Sequence, residues 1–344
     1  MRRGRRTGST VAIAIHDLVG GRAFGPLRVW GYGEVEEAID DALRLARDAS
    51  DSARIAAADA GGGAAVVCIR GTEPAGEWAR IELMHDLGEM IDSLQGRFSG
   101  FRDVGVSEGD MVSLAGPTVH LSGLPRRLGG AGNPALITAL GTEHALRSAA
   151  SHRLGPIGLA RLRIAVVGLG AVGAALARKL AATGCDLVVS DIDPQLELFA
   201  GEIGARWVEP FDAPFVDCDI LVPCAPGIRL RPGECAGLRT RVVCGPAADF
   251  LADSDVTPDP ASEEILFVPP QVVGAGAMIL AAAEARRLGR SEAIAQAIAL
   301  GGRVSELLTR ARRLGISPTD ALAEERPNLP EADSVKASPA TLPR

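Results

Sequence analysis

The stretch Arg163-Ile-Ala-Val-Val-Gly-Leu-Gly-Ala-Val-Gly173 joins a short apolar run to three glycines with the spacing GxGxxG. The apolar run predicts a buried strand, and the pattern after the glycines predicts a helix that continues to about Thr183. A second strand is predicted for Asp186-Leu-Val-Val-Ser-Asp191, which ends in an acid. This order of strand, glycine loop, helix and acidic strand end is typical of a dinucleotide-binding βαβ unit.

Each glycine of the loop has a separate physical role in such a unit. The first makes the tight turn, the second lets the backbone approach a pyrophosphate, and the third packs the helix closely on the strand. The free N–H groups at the helix start favour an anion. The predicted cofactor-binding residues are therefore Gly168, Leu169, Gly170, Ala171, Val172, Gly173 and Asp191. Because a carboxylate at Asp191 accepts hydrogen bonds from the adenosine ribose and repels a 2′-phosphate, NAD is predicted rather than NADP.

Apolar segments continue outward from this unit at the spacing of an α/β domain. Strands are predicted at 219–223, 240–244 and 265–268, with a helical stretch over 277–325. On the N-terminal side the pattern predicts a strand at 9–15, a helix beginning at Val35, a chain break at Gly61-Gly62-Gly63, a strand at 64–69 and a helix at 78–94. The Gly- and Pro-rich stretch 115–134 indicates an interdomain connection or a binding loop, and a helix follows from Ala135 to about His152.

Composition limits the classes of protein to which the chain can belong. Its 344 residues, 47% of them hydrophobic, suit two domains with sizeable cores and exclude global disorder. A net charge of -7 argues against a nucleic-acid-binding body. No apolar run approaches the roughly 20 residues that cross a bilayer, and the basic start lacks a signal peptide's apolar stretch, so a cytoplasmic location is expected. The six cysteines show no CxxC pair, and no metal site is predicted.

Lysine is scarce in this chain. Of the 36 basic residues only Lys179 and Lys336 are lysines, and the rest are arginines. Any mechanism that needs a lysine has to use one of these two positions.

Several blocks together resemble the glutamate/leucine/phenylalanine/valine dehydrogenase superfamily, most closely the leucine and valine dehydrogenases. The blocks, which run in order over roughly residues 10–325, are Ile13-Ala-Ile-His-Asp17, Gly25-Pro-Leu-Arg-Val-Trp30, Glu36-Glu-Ala-Ile-Asp-Asp-Ala-Leu-Arg-Leu-Ala46, Asp103-Val-Gly105, Gly132-Asn-Pro134 with Thr138 and Gly141, the loop 168–173, and Cys218-Asp-Ile-Leu-Val-Pro-Cys-Ala225.

The resemblance implies an α/β fold with an N-terminal α/β substrate domain and a doubly wound Rossmann NAD domain, with a cleft between them. We predict the substrate and oligomerisation domain at 1–133, the Rossmann domain at 134–285, C-terminal helices that return to the first domain at 286–325, and a disordered tail at 326–344. The implied reaction is reversible NAD-dependent oxidative deamination of an amino acid to a 2-oxo acid and ammonia. A homo-oligomer acting on a small molecule, without nucleic acid or membrane, is implied as well.

Residue-by-residue transfer of the family's site gives a divided result. Asp103 matches the proton-shuttling aspartate, Thr138 and Ala225 fall at cofactor positions, and Asn133 falls at a substrate position. The family's base lysine, in a Gly-Gly-x-Lys turn, is replaced by Ala65, and its carboxylate-binding lysine falls at Ala53 or Arg54. Arg54 is kept as a catalytic and substrate-binding candidate because a guanidinium clamps a carboxylate well, although it cannot serve as a base.

The substrate half departs from the family in other polar positions too. Gly245-Pro-Ala-Ala-Asp249 replaces Gly-Ser-Ala-Asn-Asn, and Gly274-Ala-Gly-Ala277 replaces Asn-Ala-Gly-Gly. Three hypotheses follow. In the first, the chain is an NAD-dependent oxidoreductase with altered chemistry on a small amino acid, 2-oxo acid or imine. In the second, it is a non-catalytic NAD-binding pseudoenzyme that acts as a sensor or complex subunit. In the third, it uses NAD structurally or catalytically in a reaction based on Asp103 or on a histidine such as His120, for example carbon–carbon coupling of 2-oxo acids.

Overall fold

The computed structural model describes residues 1–69, 76–251 and 265–325. The strands in these ranges are β1 (Arg2–Arg3), β2 (Thr10–Ile15), β3 (Ala23–Gly31), β4 (Gly61–Ile69), β5 (Phe98–Arg102), β6 (Leu121–Ser122), β7 (Arg163–Val167), β8 (Asp186–Ser190), β9 (Arg206–Trp207), β10 (Ile220–Pro223), β11 (Val242–Val243) and β12 (Leu266–Phe267). The α-helices are α1 (Val35–Ile55), α2 (Glu77–Asp92), α3 (Glu108–Leu114), α4 (Ala135–Leu154), α5 (Ala171–Ala181), α6 (Leu196–Glu202), α7 (Pro232–Cys235), α8 (Pro270–Val273), α9 (Gly276–Ala285), α10 (Arg290–Leu314) and α11 (Pro318–Ala323).

The C-terminal sheet is parallel throughout, with the strand order β12-β11-β10-β7-β8-β9. Its centre is an apolar core that includes Ile164, Val166, Leu187 and Val222. The chain reverses its direction of winding between β7 and β10, and in such sheets a ligand crevice opens at the carboxyl ends of the strands at this point. The predicted α/β class and Rossmann strand order are therefore confirmed.

The N-terminal sheet is mixed, with the order β1-β2-β4-β3-β5-β6. β1 and β2 run antiparallel to their neighbours, whereas β3, β4, β5 and β6 pair in parallel. All nine residues of β4 are buried.

The predicted chain break at residues 61–63 is wrong, because these glycines are the first residues of β4. Glycine is required at these positions because neighbouring backbone atoms occupy the space of a side chain. A Cβ on Gly62 would be 2.1 Å from the backbone nitrogen of Ser50 in α1, and a Cβ on Gly25 would be 1.5 Å from the carbonyl oxygen of Gly63. The glycines therefore mark close packing of β4 against α1 and β3 rather than a turn.

Strand β3 was not predicted from periodicity, although it pairs with both β4 and β5 near the centre of the sheet. Residues Ala23 to Leu27 are consecutively buried, so the strand shows no alternation of apolar and polar residues. Pro26 also lies within it, and a proline argues against a central strand when only the sequence is known.

The C-terminal helices pack on both halves of the molecule. α9 contributes Met278 and Ile279 to a cluster with Phe24 and Phe101 of the first sheet. The second half of α10, with Leu307 and Leu308 among its buried residues, and α11 join the core of the Rossmann sheet instead. The predicted division places 134–285 in the Rossmann domain and returns 286–325 to the first domain. The domain boundaries remain a proposal, and the predicted tail at 326–344 lies outside the described residues.

None of the helices within residues 1–69, 76–251 and 265–325 combines the length and apolar character needed to cross a membrane.

Candidate active site

A deep cavity of about 710 Å³ lies between the two sheets. One wall is formed by the glycine loop after β7 and by the loop after β10. The opposite wall is formed by β3, by the inner face of α1 and by the end of β5. The cavity therefore lies where the switch point of the Rossmann sheet faces the N-terminal sheet.

The geometry of the glycine loop matches the role predicted for each glycine. Gly168 has a φ of +101°, and a Cβ there would be 2.5 Å from the backbone nitrogen of Ala225. A Cβ on Gly173 would be 1.9 Å from the carbonyl oxygen of Gly168, so only glycine lets α5 begin this close to the turn. By contrast, no atom lies within 4 Å of the Cβ position of Gly170, which leaves open space above the backbone.

Asp191 is held by two backbone amides. Its Oδ2 accepts a hydrogen bond from Leu169 N at 2.6 Å, and its Oδ1 accepts one from Asp193 N at 3.0 Å. Each carboxylate oxygen keeps a further lone pair that can accept a ribose hydroxyl. The glycine loop, through Leu169, and the turn after β8, through Asp193, thus orient the carboxylate.

Two further observations fit a bound dinucleotide. Ser190 lines the cavity, and its hydroxyl oxygen is buried without a hydrogen-bond partner in the described part of the chain. No side chain caps the start of α5, so its first amides are open to an anionic ligand. These groups and Asp191 together fit NAD, whose ribose carries free hydroxyls and whose pyrophosphate needs N–H donors.

The other predicted cofactor and substrate residues take different positions around the cavity. Thr138 and Ala225 line it, as do Gly168, Gly170, Ala171, Val172 and Asp191. Leu169 and Gly173 lie behind this surface, where Leu169 is buried in the Rossmann core. Asn133 also lines the cavity, and its Oδ1 accepts a hydrogen bond from Ala135 N at 2.9 Å, so it orients the start of α4 as well.

A row of alternating charges runs along the opposite wall. Arg28 donates from Nε to Asp103 at 2.9 Å and from Nη1 to Asp41 at 3.1 Å. Arg44 donates to Asp41 and, from Nη1, to Asp48 Oδ2 at 3.2 Å. Each arginine therefore lies between two carboxylates, in the order Asp103, Arg28, Asp41, Arg44, Asp48. We call these five residues the charge row.

The members of the charge row differ in how their surroundings affect ionisation. Burial opposes ionisation of Asp41, but Arg28, the hydroxyl of Tyr32 and Arg44 outweigh it and lower the pKa of Asp41. For Asp48, burial is the main effect and raises the pKa, even though Gln271 donates to its Oδ1 at 2.8 Å. The surroundings thus favour the anion of Asp41, whereas burial disfavours the anion of Asp48.

Asp103 reaches the cavity because a tight turn follows β5. Gly105 has a φ of +72°, and a Cβ there would be 1.8 Å from the carbonyl oxygen of Val29. Arg80 donates to the carbonyl oxygen of Gly105 and forms a two-contact ion pair with Asp110, which caps α3. These contacts fix the turn that presents Asp103 beside Arg28.

Arg54, the predicted substrate ligand, is not among the residues that line the cavity. The α1 residues on the cavity wall are Arg44, Leu45, Asp48, Ala49 and Ser52. In a helix of 3.6 residues per turn, Arg54 points about 200° away from Ser52. Its guanidinium instead pairs with Asp51 one turn earlier.

The sheet register shows which face of β4 carries each alanine near the predicted position of the base lysine. Arg28 is in register with Val66, so the face that carries Arg28 also carries Ala64. Ala65 is in register with Leu27 and packs on the opposite face with Leu83. Ala64, rather than Ala65, is therefore the β4 alanine on the cavity side of the sheet. None of the cavity-lining residues of the described chain is a lysine, and Lys179, on α5, pairs with Glu143 on α4.

Asp48, Arg28, Arg44 and Gln271 were not predicted as site residues. The spacing of Asp48 four residues after Arg44 and four before Ser52 places all three on one face of α1, and this face was the available signal. Gln271, on α8, has no such signal because its partner Asp48 is 223 residues away in the chain.

Other candidate chemistry does not converge on the cavity. His120 is not among its lining residues. Cys224 lines it, but burial raises the pKa of this thiol to about 12, so at neutral pH the thiol is protonated and a poor nucleophile. Within the described ranges, no group of three or more His, Cys, Asp or Glu side chains is arranged to hold a metal ion.

Comparisons with known proteins agree with this architecture. Leucine dehydrogenase from Bacillus subtilis is 33% identical over 325 residues, which span 93% of this chain and 88% of the relative. L-tryptophan dehydrogenase from Nostoc punctiforme is 33% identical over 330 residues, spanning 94% and 91%. The crystal structure of that enzyme superposes with a TM-score of 0.71 and covers 94% of this chain and 92% of its own.

A more distant structure shares the fold. The hetero-hexameric glutamate dehydrogenase from Thermus thermophilus has a TM-score of 0.76 at 20% identity and covers 92% of this chain and 82% of its own. No protein-family model matches the chain. Identity above 30% over nearly the whole length, joined to a nucleotide loop and cleft of the expected geometry, shows that the chain belongs to the amino acid dehydrogenase superfamily.

Proposed function

We propose that the chain is an NAD-dependent oxidoreductase whose chemistry differs from ordinary deamination of leucine or valine. The observation that carries this proposal is the contrast between the two walls of the cavity. The glycine loop keeps its three glycines and is followed by the acid that a dinucleotide needs, whereas none of the described residues on the substrate wall is a lysine. Small 2-amino acids, 2-oxo acids, imines and the related amines are the substrate classes to test.

In this proposal NAD accepts a hydride from the substrate carbon when it is bound, and the protein supplies binding and proton transfer. Asp103 is the proposed proton carrier because it directly follows β5 at the cavity and accepts a hydrogen bond from Arg28. Arg28 keeps Asp103 in place and Asp41 keeps Arg28 in place, so both are positioning residues. Thr138 and Asn133 are proposed to contact the cofactor and substrate from the start of α4.

The alternative is an NAD-binding protein that does not catalyse turnover. The absence of lysine from the described part of the cavity lining favours it, because an arginine side chain does not act as a base in proteins. Such a protein would bind NADH as a sensor or as a subunit of a larger complex. The two functions differ in one respect that is simple to measure, namely turnover by the purified chain.

The experiment is a two-step measurement on the full-length protein. Titration with NADH, followed by the fluorescence of the nicotinamide, is expected to give saturable binding. A screen for formation or consumption of NADH with amino acids, amines, and 2-oxo acids plus ammonia is then expected to give turnover that Asp103→Asn reduces at least tenfold. NADH binding without turnover on any substrate supports the non-catalytic alternative. Absence of NADH binding contradicts both.

A homo-oligomer is also proposed, by analogy with the superfamily. Light scattering on the protein as it elutes from a size-exclusion column measures its molar mass directly, and the mass of a monomer would contradict this proposal.

A further inference from the structure

The outer face of helix α10 changes its character halfway along the helix. In the second half the exposed residues include Glu306, Arg312 and Arg313, as is usual for a helix at the surface. The ten residues 293–302 of the first half, by contrast, contain no charged side chain. The exposed residues of this stretch, which we call the α10 face, are Ile294, Ala295, Ile298, Ala299 and Gly302.

The α10 face is one stripe rather than a set of scattered residues. In a helix of 3.6 residues per turn its members lie above one another over about two turns. Ile294 and Ile298 are 38% and 44% exposed. The inner side of the same stretch is already buried, with Leu300 in a cluster that it shares with α9. An exposed apolar patch with polar residues at its border is typical of a protein interaction site.

The α10 face is complementary to itself in shape. When two copies of α10 cross antiparallel about a two-fold axis at Ile298, Ile294 of each copy lies opposite Gly302 of the other, because both are four residues from the axis. A large side chain thus meets a glycine on both sides of the axis. Within its own chain, a Cβ on Gly302 would have no atom within 4 Å, so the space above this residue is open. Such packing suits helix axes about 8–10 Å apart.

The charged residues at the border of the α10 face favour the antiparallel orientation. Glu292 and Arg303 are eleven residues apart, which is about three helical turns, so they lie on the same side of the face. About a two-fold axis at Ile298, Glu292 of one copy therefore comes beside Arg303 of the other, whereas a parallel pair would leave these charges about 16 Å apart along the helices. Arg303 also pairs with Glu306 and Glu325 of its own chain, and these contacts hold it at the border.

We propose that the α10 face binds a second copy of this chain, with the two α10 helices antiparallel and Ile298 at the two-fold axis. The inference rests on the homo-oligomer of the proposed function and names its contact surface. The chain's own residues 326–344 are a poorer match, because they hold four prolines, which a helix interior does not tolerate. Their large apolar residues are Leu329, Val335 and Leu342, which are too far apart to form a matching stripe.

The first test is the molar mass of the full-length protein, measured by light scattering during size-exclusion chromatography. Ile298→Asp is expected to lower the molar mass of the oligomer, because it places two carboxylates against each other at the axis. The matched control is Leu198→Asp, since Leu198 is an aliphatic residue of α6 that is 77% exposed. No change in molar mass is expected for this control.

Gly302→Leu separates the contact from the folding of the single chain. Its side chain enters open space in its own chain, and leucine favours a helix more than glycine does, so a cooperative thermal transition is expected to remain. The molar mass is expected to fall, because the leucine takes the space of Ile294 of the second copy. Gly201→Leu in α6 is the control, since its Cβ also meets no atom within 4 Å.

A cysteine at the axis tests the orientation of the two helices. In Ile298→Cys the two new thiols face each other, so mild oxidation is expected to link two chains by a disulfide. In Ile294→Cys the two thiols are about 12 Å apart along the helices, and no such link is expected. The unmodified protein, which has six cysteines of its own, is oxidised in parallel as the control.

An unchanged molar mass in both Ile298→Asp and Gly302→Leu overturns the inference, while the proposed homo-oligomer would stand. An unchanged molar mass with a lowered thermal transition would show that the chain covers this face itself, which also overturns it. A disulfide in Ile294→Cys but not in Ile298→Cys contradicts the position of the axis. A monomeric unmodified protein contradicts both the contact surface and the homo-oligomer, and it leaves the proposed NAD-dependent reaction untouched.

Discussion

At the scale of single residues, Asp191 shows how one carboxylate joins the nucleotide loop to cofactor selection. It accepts hydrogen bonds from the backbone amides of Leu169 in the glycine loop and Asp193 in the turn after β8, and these two contacts set its orientation. An aspartate accepts with both oxygens, whereas an asparagine accepts with one and donates with the other end. The two residues differ little in size, so an exchange tests the charge and the hydrogen bonds rather than the packing.

Asp191→Asn is expected to raise the Kd for NADH about tenfold, since one hydrogen bond to a charged group contributes about 1.5–3 kcal/mol. The Kd for NADPH is expected to change less, because repulsion of the 2′-phosphate is lost at the same time. Fluorescence titration with both nucleotides measures this. An unchanged ratio of the two Kd values would contradict the role assigned to Asp191.

At the scale of the element, the turn between β7 and α5 contains two glycines with opposite surroundings. Gly173 is in contact with the carbonyl oxygen of Gly168, whereas Gly170 faces open space with a φ of -61° and a ψ of -168° that alanine also adopts. Replacement by alanine therefore tests packing of the turn at Gly173 and approach of a ligand at Gly170.

Gly173→Ala is expected to lower the free energy of unfolding by about 1–3 kcal/mol, the usual cost of overpacking. Gly170→Ala is expected to leave the thermal transition nearly unchanged but to weaken NADH binding about tenfold or more, because its methyl group enters the space reserved for the pyrophosphate. Thermal unfolding and NADH titration of both variants measure these effects.

Gly201→Ala in α6 serves as the control, since its Cβ also meets no atom within 4 Å and it lies outside the cavity. Normal NADH binding in Gly170→Ala would mean that no ligand approaches the backbone at this point.

At the scale of the whole molecule, buried carboxylates determine how stability changes with pH. Burial opposes ionisation of Asp86 and Asp110, but hydrogen bonds from the Thr7 and Arg6 backbone to Asp86, and from Arg80 and Ser107 to Asp110, lower both pKa values. A lowered pKa contributes stability that is present above the ordinary carboxyl range and is lost as the pH falls through the folded-state pKa. Asp48 has the opposite sign, because its raised pKa contributes stability at acidic pH that is lost as the pH rises.

We therefore expect Asp110→Asn to lower the free energy of unfolding by about 1–3 kcal/mol at neutral pH, since it breaks the charged contact with Arg80. The loss is expected to shrink as the pH falls below about 4, the ordinary carboxyl pKa. Asp48→Asn is expected to raise stability at neutral pH and to have little effect in acid. Chemical denaturation at several pH values measures both profiles, and destabilisation by Asp48→Asn at neutral pH would contradict the assigned effect of burial.

Burial of Asp48 disfavours its ionised form and therefore opposes folding above the ordinary carboxyl pKa. The two walls of the cavity also differ in the elements from which they are assembled. The nucleotide wall is built from loops that follow neighbouring strands of one parallel sheet, whereas the substrate wall is assembled from β3, α1, β5 and α8.

The sequence alone determined the nucleotide half of this protein, because its turn, helix start and acidic strand end lie within 163–191 and depend on local backbone geometry. Composition alone also showed the scarcity of lysine. Only the tertiary structure decided the substrate half. Helical rotation turned Arg54 away from the cavity, the register of β4 against β3 placed Ala64 and not Ala65 on the cavity side, and long-range packing brought Asp103, Arg28, Asp41, Arg44 and Asp48 into one row. Such contacts depend on which faces of distant elements meet, and a linear pattern does not contain that information.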